Sequence, residues 1–172
     1  MSIAGEERIA AAFAASGKRA ALMPYLMGGF PDLEASRRIG AAAAAAGADM
    51  IELGIPFSDP LADGPVIHAA ATRALAAGAT VEGVLEVAAD LAAQIPVIVM
   101  TYANIVIARG ADAFLGRLAQ AGVSGLIVPD LPFEEGAQTA EAAAVAGIAL
   151  VPLIAPTTTA ERLELIGARA RG

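Results

Sequence analysis

The sequence predicts an α/β fold built on a parallel sheet, and two observations carry that reading. Short apolar runs rich in β-formers alternate with longer alanine-rich stretches of helical character along the whole chain. The segments that follow the apolar runs are long and polar, as in "GIPFSDPLADG" and "PDLPFEEG", whereas those that precede them are short, as in "AAGAD" and "AVAGI". Strands separated by helices need crossover connections, so the strands run parallel, the crossovers are right-handed and the helices cover the outer face. An open doubly wound sheet and a closed barrel both satisfy this pattern. In either one, functional groups belong on the loops at the strand C-termini.

The elements follow in order. An amphipathic helix is expected over Glu6–Ala15, ahead of the first strand, Ala21–Met27. Asp32 precedes a helical stretch, Leu33–Ala46, in the position of an N-cap. The second strand, Asp49–Leu53, leads through a turn-rich loop to Asp63, which stands before Gly64–Pro65 like a second start signal for a helix over Ile67–Ala77. Thr80 then opens Val81–Gln94. A third strand at Ile95–Thr101, one helical stretch at Asn104–Ala121, a fourth strand at Ser124–Val128 and a helix at Glu134–Ala146 come next. The last pair is Ile148–Ile154 and Thr159–Ala168, the latter opened by the threonines at 157–159.

Composition narrows the function. The 172 residues are 57% hydrophobic and 17% charged, enough apolar material for the core of one domain spanning residues 1–172. A net charge of −7 and a pI near 4.6 leave no basic footprint for nucleic acid or an anionic membrane. With no cysteine and one histidine, thiol chemistry and multi-histidine metal sites are excluded, so chemistry without a cofactor is the default. The start, "MSIAGEERIA", carries acids where a secretory signal has a basic start and an apolar run, which predicts a cytoplasmic address. The longest charge-free run, Leu91–Ala108, is interrupted by Gln94, Pro96, Thr101 and Asn104 and predicts no membrane span.

Glu52 and Asp63 are the candidate acid/base residues. In "DMIELG" strand alternation puts Met50 and Glu52 on one face and Ile51 and Leu53 on the other. If that face is interior, lost hydration raises the carboxyl's pKa and fits it to hold a proton near neutrality; a strand-end glutamate reaching solvent is an equal alternative. Asp63 in "ADGP" reads more readily as a helix cap or Asx turn, and Asp59 in "SDP" shares that ambiguity. Asp130 in "PDLP" fits either a structural or a substrate-facing role. Tyr25 and Tyr102, the only tyrosines, both fall at strand C-termini, which fits an aromatic pocket, although core packing is the commoner explanation. The loop Phe57–Gly64 is expected to be mobile, since its glycine and proline turns leave few ladder bonds to hold it.

Five blocks, "PYLMGGFPD", "GADMIELGIPFSDPLADGPVIHAAATRAL", "MTYANIV", "GVSGLIVPDLPFEE" and "LVPLIAPTTTAERL", together resemble the tryptophan synthase alpha chain family, in its order and with ordinary spacing. The second block is the most specific, and the resemblance extends over essentially the whole chain. It implies a partial (β/α)8 TIM barrel, parallel strands 1–5 with an extra N-terminal helix. It also implies cleavage of indole-3-glycerol phosphate to indole and glyceraldehyde 3-phosphate, with pyridoxal phosphate found only on a partner beta chain in an alpha2beta2 assembly. By the same resemblance Glu52 and Asp63 match the catalytic glutamate and aspartate, and Tyr25, Met100, Ile127 and Leu153 match substrate contacts. Pro56, Asp59 and Pro60 match the loop that meets the beta chain. Met27 stands where the family commonly has threonine.

An eight-stranded barrel takes roughly 250 residues. The resemblance therefore covers an N-terminal part of one, without the sixth strand or the phosphate-binding loops after strands seven and eight. Residues 1–172 alone are accordingly expected to be inactive, to bind the phosphate ester poorly and to self-associate through open strand edges. The competing reading is a non-catalytic piece of the barrel that docks a partner.

Overall fold

The computed structural model describes residues 4–172. In chain order the elements are α1 (Gly5–Ala15), β1 (Tyr25–Met27), α2 (Leu33–Ala45), β2 (Ile51–Gly54), α3 (Pro65–Ala76), α4 (Val81–Ala92), β3 (Val97–Met100), α5 (Ala103–Arg109), α6 (Ala111–Gln120), β4 (Gly125–Ile127), α7 (Ala137–Ala146), β5 (Ala149–Leu150) and α8 (Ala160–Gly167). The strands form one five-stranded sheet in the order β1-β2-β3-β4-β5, and every neighbouring pair is parallel. A doubly wound sheet reverses its strand order part-way. This one does not, so the alternation left open by the sequence resolves as the wall of a barrel.

Strand alternation sorts the apolar residues into two layers. Ile51, Leu53, Val97, Val99, Leu126 and Val128 point outward into the larger core, where they meet Val84, Val87 and Leu91 of α4 and Phe114, Leu115 and Leu118 of α6. Each fully buried leucine or phenylalanine there contributes roughly 1.5–3 kcal/mol. Met50, Ile98, Ile127 and Ala149 point the other way, into the barrel interior, and Ile9 of α1 packs against them. Helix α1 thus closes the end from which the strands start. The Gly5 N–H donates to Gly147 O (2.8 Å), and the Arg8 guanidinium donates to Gly122 O (2.6 Å) and Ala92 O (2.9 Å), carbonyls of the turns before β5, β4 and β3. A Cβ on Gly5 would run into Ser124 O, so glycine lets this helix seat.

The helix starts read from sequence hold at three positions and fail at one. Asp32 accepts from Ala35 N (2.7 Å), Thr80 from Gly83 N (3.0 Å) and Thr159 from Arg162 N (3.3 Å). Asp63 does not cap α3: Gly64 occupies the cap position without a side-chain bond, and Pro65 in the first turn has no N–H to satisfy. The aspartate is thereby left free for another task.

The stretch expected as one helix, Asn104–Ala121, is two, because Gly110 lies at φ 77° and ψ 129°. That conformation breaks the i→i−4 ladder and is essentially confined to glycine. Helix α7 begins later than expected, at Ala137, after turns over 132–135 closed by Glu135 N donating to Pro132 O (3.0 Å). Every strand is shorter than its apolar run, and β5 is the shortest, at two residues. No helix among the described residues is long and apolar enough to cross a membrane.

Replacing Gly110 by alanine is expected to lower unfolding stability by about 1–3 kcal/mol, since the new Cβ meets no atom within 4 Å and only backbone strain is added. A fall in the urea midpoint with an unchanged slope checks it; an unchanged midpoint contradicts it.

Candidate active site

The ladder register places the site. Tyr25 of β1 pairs with Glu52 of β2, Glu52 with Ile98 of β3, Ile98 with Gly125 of β4, and Gly125 with Ala149 of β5. Residues paired across parallel strands point to the same face, so this row lies across the barrel interior. Glu52 is its one acid. The next inward row, two residues toward the strand C-termini, contains Met27, Gly54, Met100 and Ile127. Glu52 thus forms a charged floor beneath apolar walls made partly by Met100 and Ile127.

Gly54 gives the site its shape. A Cβ at this position would collide with the Tyr25 hydroxyl, so the Tyr25 ring leans from β1 over the end of β2 into space that any other residue would fill. The hydroxyl is sealed from solvent and has no hydrogen-bond partner. Burial, and then the charges of Asp63 and Glu52, push this phenol well above the ordinary tyrosine range. Both carboxylates therefore act on one phenol. Burial likewise raises the Glu52 carboxyl above its ordinary value of 4.5, as the interior placement requires.

Asp63 reaches this point because the β2–α3 loop is tied down at Tyr102. The Ala62 N–H donates to the Tyr102 hydroxyl (3.0 Å), and the Phe57 ring packs on the Tyr102 ring with centroids 5.3 Å apart. Tyr102 is almost fully buried, at 2% exposure. Between Pro56 and Asp63 no backbone-to-backbone hydrogen bond forms among the described residues, as expected of a segment without a ladder. The two contacts to Tyr102 are what hold it. Pro56 is buried, Pro60 half-buried and Asp59 exposed, with the Ser58 hydroxyl donating to the Asp59 carboxylate.

Two further positions resolve differently. Asp130 accepts from Ala103 N (2.8 Å) and so caps α5 from the loop after β4, a structural role. Leu153 is 58% exposed and lines a cavity of about 470 Å3 between the end of β5, α7 and α8, a cavity that touches none of Tyr25, Glu52, Asp63, Met100 and Ile127. Tyr25 and Glu52 pair across β1 and β2, the charge of Asp63 reaches the Tyr25 phenol, Met100 and Ile127 occupy the next interior row, and Leu153 lines the cavity at the end of β5. Sequence reading left Tyr102 as an undecided aromatic and passed over Gly54. A glycine ending a strand, in "IELGIP", was the available signal for a close approach.

Among the described residues no group of three or more His, Asp and Glu side chains could hold a metal ion. The single lysine, Lys18, pairs with Asp49 (2.9 Å) just before β2, at the end of the sheet away from these loops. Within residues 1–172, then, no lysine lies beside Glu52 and Asp63.

A family model described as the tryptophan synthase alpha chain matches residues 12–172. The chain belongs to the tryptophan synthase alpha chain family. The alpha chain of Synechococcus elongatus is 53% identical over 156 residues, covering 90% of this chain and 59% of that one. That of Gloeobacter violaceus is 48% identical, covering 99% and 63%. Among solved structures, Mycobacterium tuberculosis tryptophan synthase superposes with a TM-score of 0.92 at 37% identity, over 99% of this chain and 66% of its own. The Pyrococcus furiosus tryptophan synthase a2b2 complex gives 0.84 at 36% identity, over 88% and 65%. The fold is therefore five units of the family's (β/α)8 barrel, and the chain spans about 60% of the length of these curated relatives.

Two outcomes follow from this geometry. A raised folded-state pKa penalises ionised Glu52; the penalty is absent well below pH 4.5 and complete once the pH exceeds the folded value. Glu52→Gln is therefore expected to raise the melting temperature at pH 7, the gain fading as the pH falls from the raised folded-state value toward 4.5. Equal melting temperatures at pH 7 contradict an interior Glu52. Tyr102→Phe removes the acceptor for Ala62 N–H, at a cost of about 1 kcal/mol. Hydrogen exchange at Ala62 should quicken while that of β3 is unchanged; exchange unaltered at Ala62 shows that the loop is held otherwise.

Proposed function

We propose that residues 1–172 carry the acid/base half of a lyase site that cleaves indole-3-glycerol phosphate to indole and glyceraldehyde 3-phosphate, in a barrel assembled with a tryptophan synthase beta chain. The observation behind this reading is the meeting of Glu52, on the interior row of the sheet, with Asp63, on a loop anchored elsewhere, at a single buried phenol. Membership of the alpha chain family supports the same substrate.

The residue types suit the steps. Carbon–carbon cleavage requires a proton delivered to indole C3, an acceptor for the indole N–H as the ring nitrogen gains positive charge, and removal of a proton from the chain hydroxyl beside the breaking bond. The electrons of that bond pass to the ring, and the hydroxyl carbon becomes the aldehyde of the second product. A carboxyl whose pKa is raised by burial can both give and take protons near neutrality, which fits Glu52. Asp63, freed from capping α3, faces the N–H as an acceptor. Met100 and Ile127 offer the flat ring an apolar wall, and Tyr25 an aromatic one. In barrels of this kind the phosphate sits on loops after strands seven and eight, which residues 1–172 do not include. The activity is accordingly proposed for the assembled barrel.

The loop bearing Pro56, Asp59 and Pro60 is proposed as the docking edge for the beta chain. It carries an exposed acid and Leu61 at 86% exposure beside Val66 at 79%, apolar surface that gains from a cover. Pyridoxal phosphate is placed on that partner. Soluble expression in the cytoplasm and a single barrel domain complete the proposal.

The test is indole release from indole-3-glycerol phosphate by the full-length alpha chain carrying these residues, with and without beta chain. Glu52→Gln is expected to lower turnover by about 10²–10⁴-fold, as loss of a general acid/base does. Asp63→Asn is expected to be less damaging, because an amide oxygen still accepts from the N–H. Wild-type turnover in Glu52→Gln removes the acid/base assignment. No indole release, with or without beta chain, leaves a docking piece as the better reading.

A further inference from the structure

The Tyr25 hydroxyl is a polar atom of the site that the steps above leave unused, and its situation is unusual. The phenol is closed off from solvent, rests over Gly54, and has no partner although two carboxylates act on it. A buried hydroxyl without a hydrogen bond is costly, and the cost is avoidable, since phenylalanine would present the same ring. The hydroxyl can donate one hydrogen bond, and ionised carboxylates accept without donating. Burial and the nearby charges keep the phenol protonated, so it remains a donor throughout the range in which the carboxylates ionise.

The remaining question is which acceptor it meets. Glu52 is on a strand, held by ladder partners on both sides. Asp63 is on the loop whose described residues form no backbone hydrogen bonds with one another and which depends on Tyr102 for anchorage. Asp63, which interacts with the Tyr102 hydroxyl but is bound into no ladder, is therefore the carboxylate with more freedom to move. It is also the larger of the two charge influences on Tyr25. Tyr102 holds the residue just before it, so a second phenol opposite would define the aspartate from both sides. The titratable groups around this point are Glu52 from β2, Tyr102 from the end of β3 and, influencing Tyr102, Asp130 from the loop after β4.

We propose that Tyr25 is a positioning residue: its hydroxyl donates to the Asp63 carboxylate when the β2–α3 loop settles on substrate, and holds that carboxylate toward the indole N–H. The proposal rests on the function argued above and assigns the tyrosine a role beyond lining the pocket with its ring. No proton is transferred, and the phenol keeps its hydrogen. In the free chain the hydroxyl stays unsatisfied, and substrate-bound closure supplies the missing bond.

The experiment uses the full-length alpha chain with beta chain and compares wild type, Tyr25→Phe, Asp63→Asn and the double variant for kcat, KM and melting temperature. Tyr25→Phe is expected to lower kcat about tenfold, the worth of one hydrogen bond to a charged group, with KM within about twofold of wild type. Its melting temperature should be no lower than wild type, because the free state loses only an unpaired hydroxyl. In the double variant the loss should fall short of the sum of the two single losses, because a neutral amide oxygen accepts from the phenol more weakly than a carboxylate does. Gly54→Ala, which keeps the phenol but drives its hydroxyl aside, should reproduce the kcat loss and guards against a Tyr25→Phe chain that fails to fold. Wild-type kcat in Tyr25→Phe, a full additional loss in the double variant, or a lowered melting temperature with both constants affected each overturns the proposal. No indole from the wild-type complex overturns the function itself, and this inference falls with it.

Discussion

Everything that can be said of the site depends on the register of a parallel ladder. Because Tyr25 pairs with Glu52 and Glu52 with Ile98, the three side chains emerge on one face at one height, and the alternation that buries Ile51 and Leu53 under the helices leaves Glu52 no other direction. A slip by one residue would turn Glu52 into the helix layer and Leu53 into the interior, exchanging a charged floor for an apolar one. The outward residues forbid this. Ile51, Leu53, Val97, Val99 and Leu126 are all fully buried against α4 and α6, so the energy that holds the fold also aims the acid.

The same economy recurs in the loop. Asp63 lies at the foot of a helix, where an aspartate normally spends its carboxylate on backbone N–H groups. Here Pro65 removes one of those donors and Gly64 takes the cap position, which leaves the carboxylate uncommitted to the helix. What places it is a contact from a different strand: Tyr102, at the end of β3, accepts from Ala62 N and stacks with Phe57. Asp130 plays the converse part, for it resembles a site residue and is consumed in capping α5. Two aspartates in similar proline-flanked contexts thus have opposite fates, decided by which backbone donors lie within reach.

The closed end of the barrel complements the open one. Helix α1 fills the side where strands begin, with Ile9 in the interior cluster and Arg8 bound to two carbonyls of the facing turns. The interior is therefore apolar below Glu52, through Met50, Ile98 and Ala149. Burial over that apolar floor raises the Glu52 carboxyl above its ordinary value.

The β/α alternation, the shared strand face of Met50 and Glu52, the caps at Asp32, Thr80 and Thr159, and the placing of function on the loops after strands could all be read from residue order, because each depends on periodicity or on neighbours a few residues away. The resemblance of five blocks extended that reading to a family and to Glu52 and Asp63 as a pair. Other features required the tertiary structure. Gly110 divides a stretch whose apolar period is continuous, since the break is a backbone angle that the pattern does not record. Asp63 abandons its cap, Tyr102 anchors a loop forty positions away in the chain, and Gly54 makes room for a phenol on another strand. Each of these is a contact between residues remote in sequence, and residue order alone holds no distance between them.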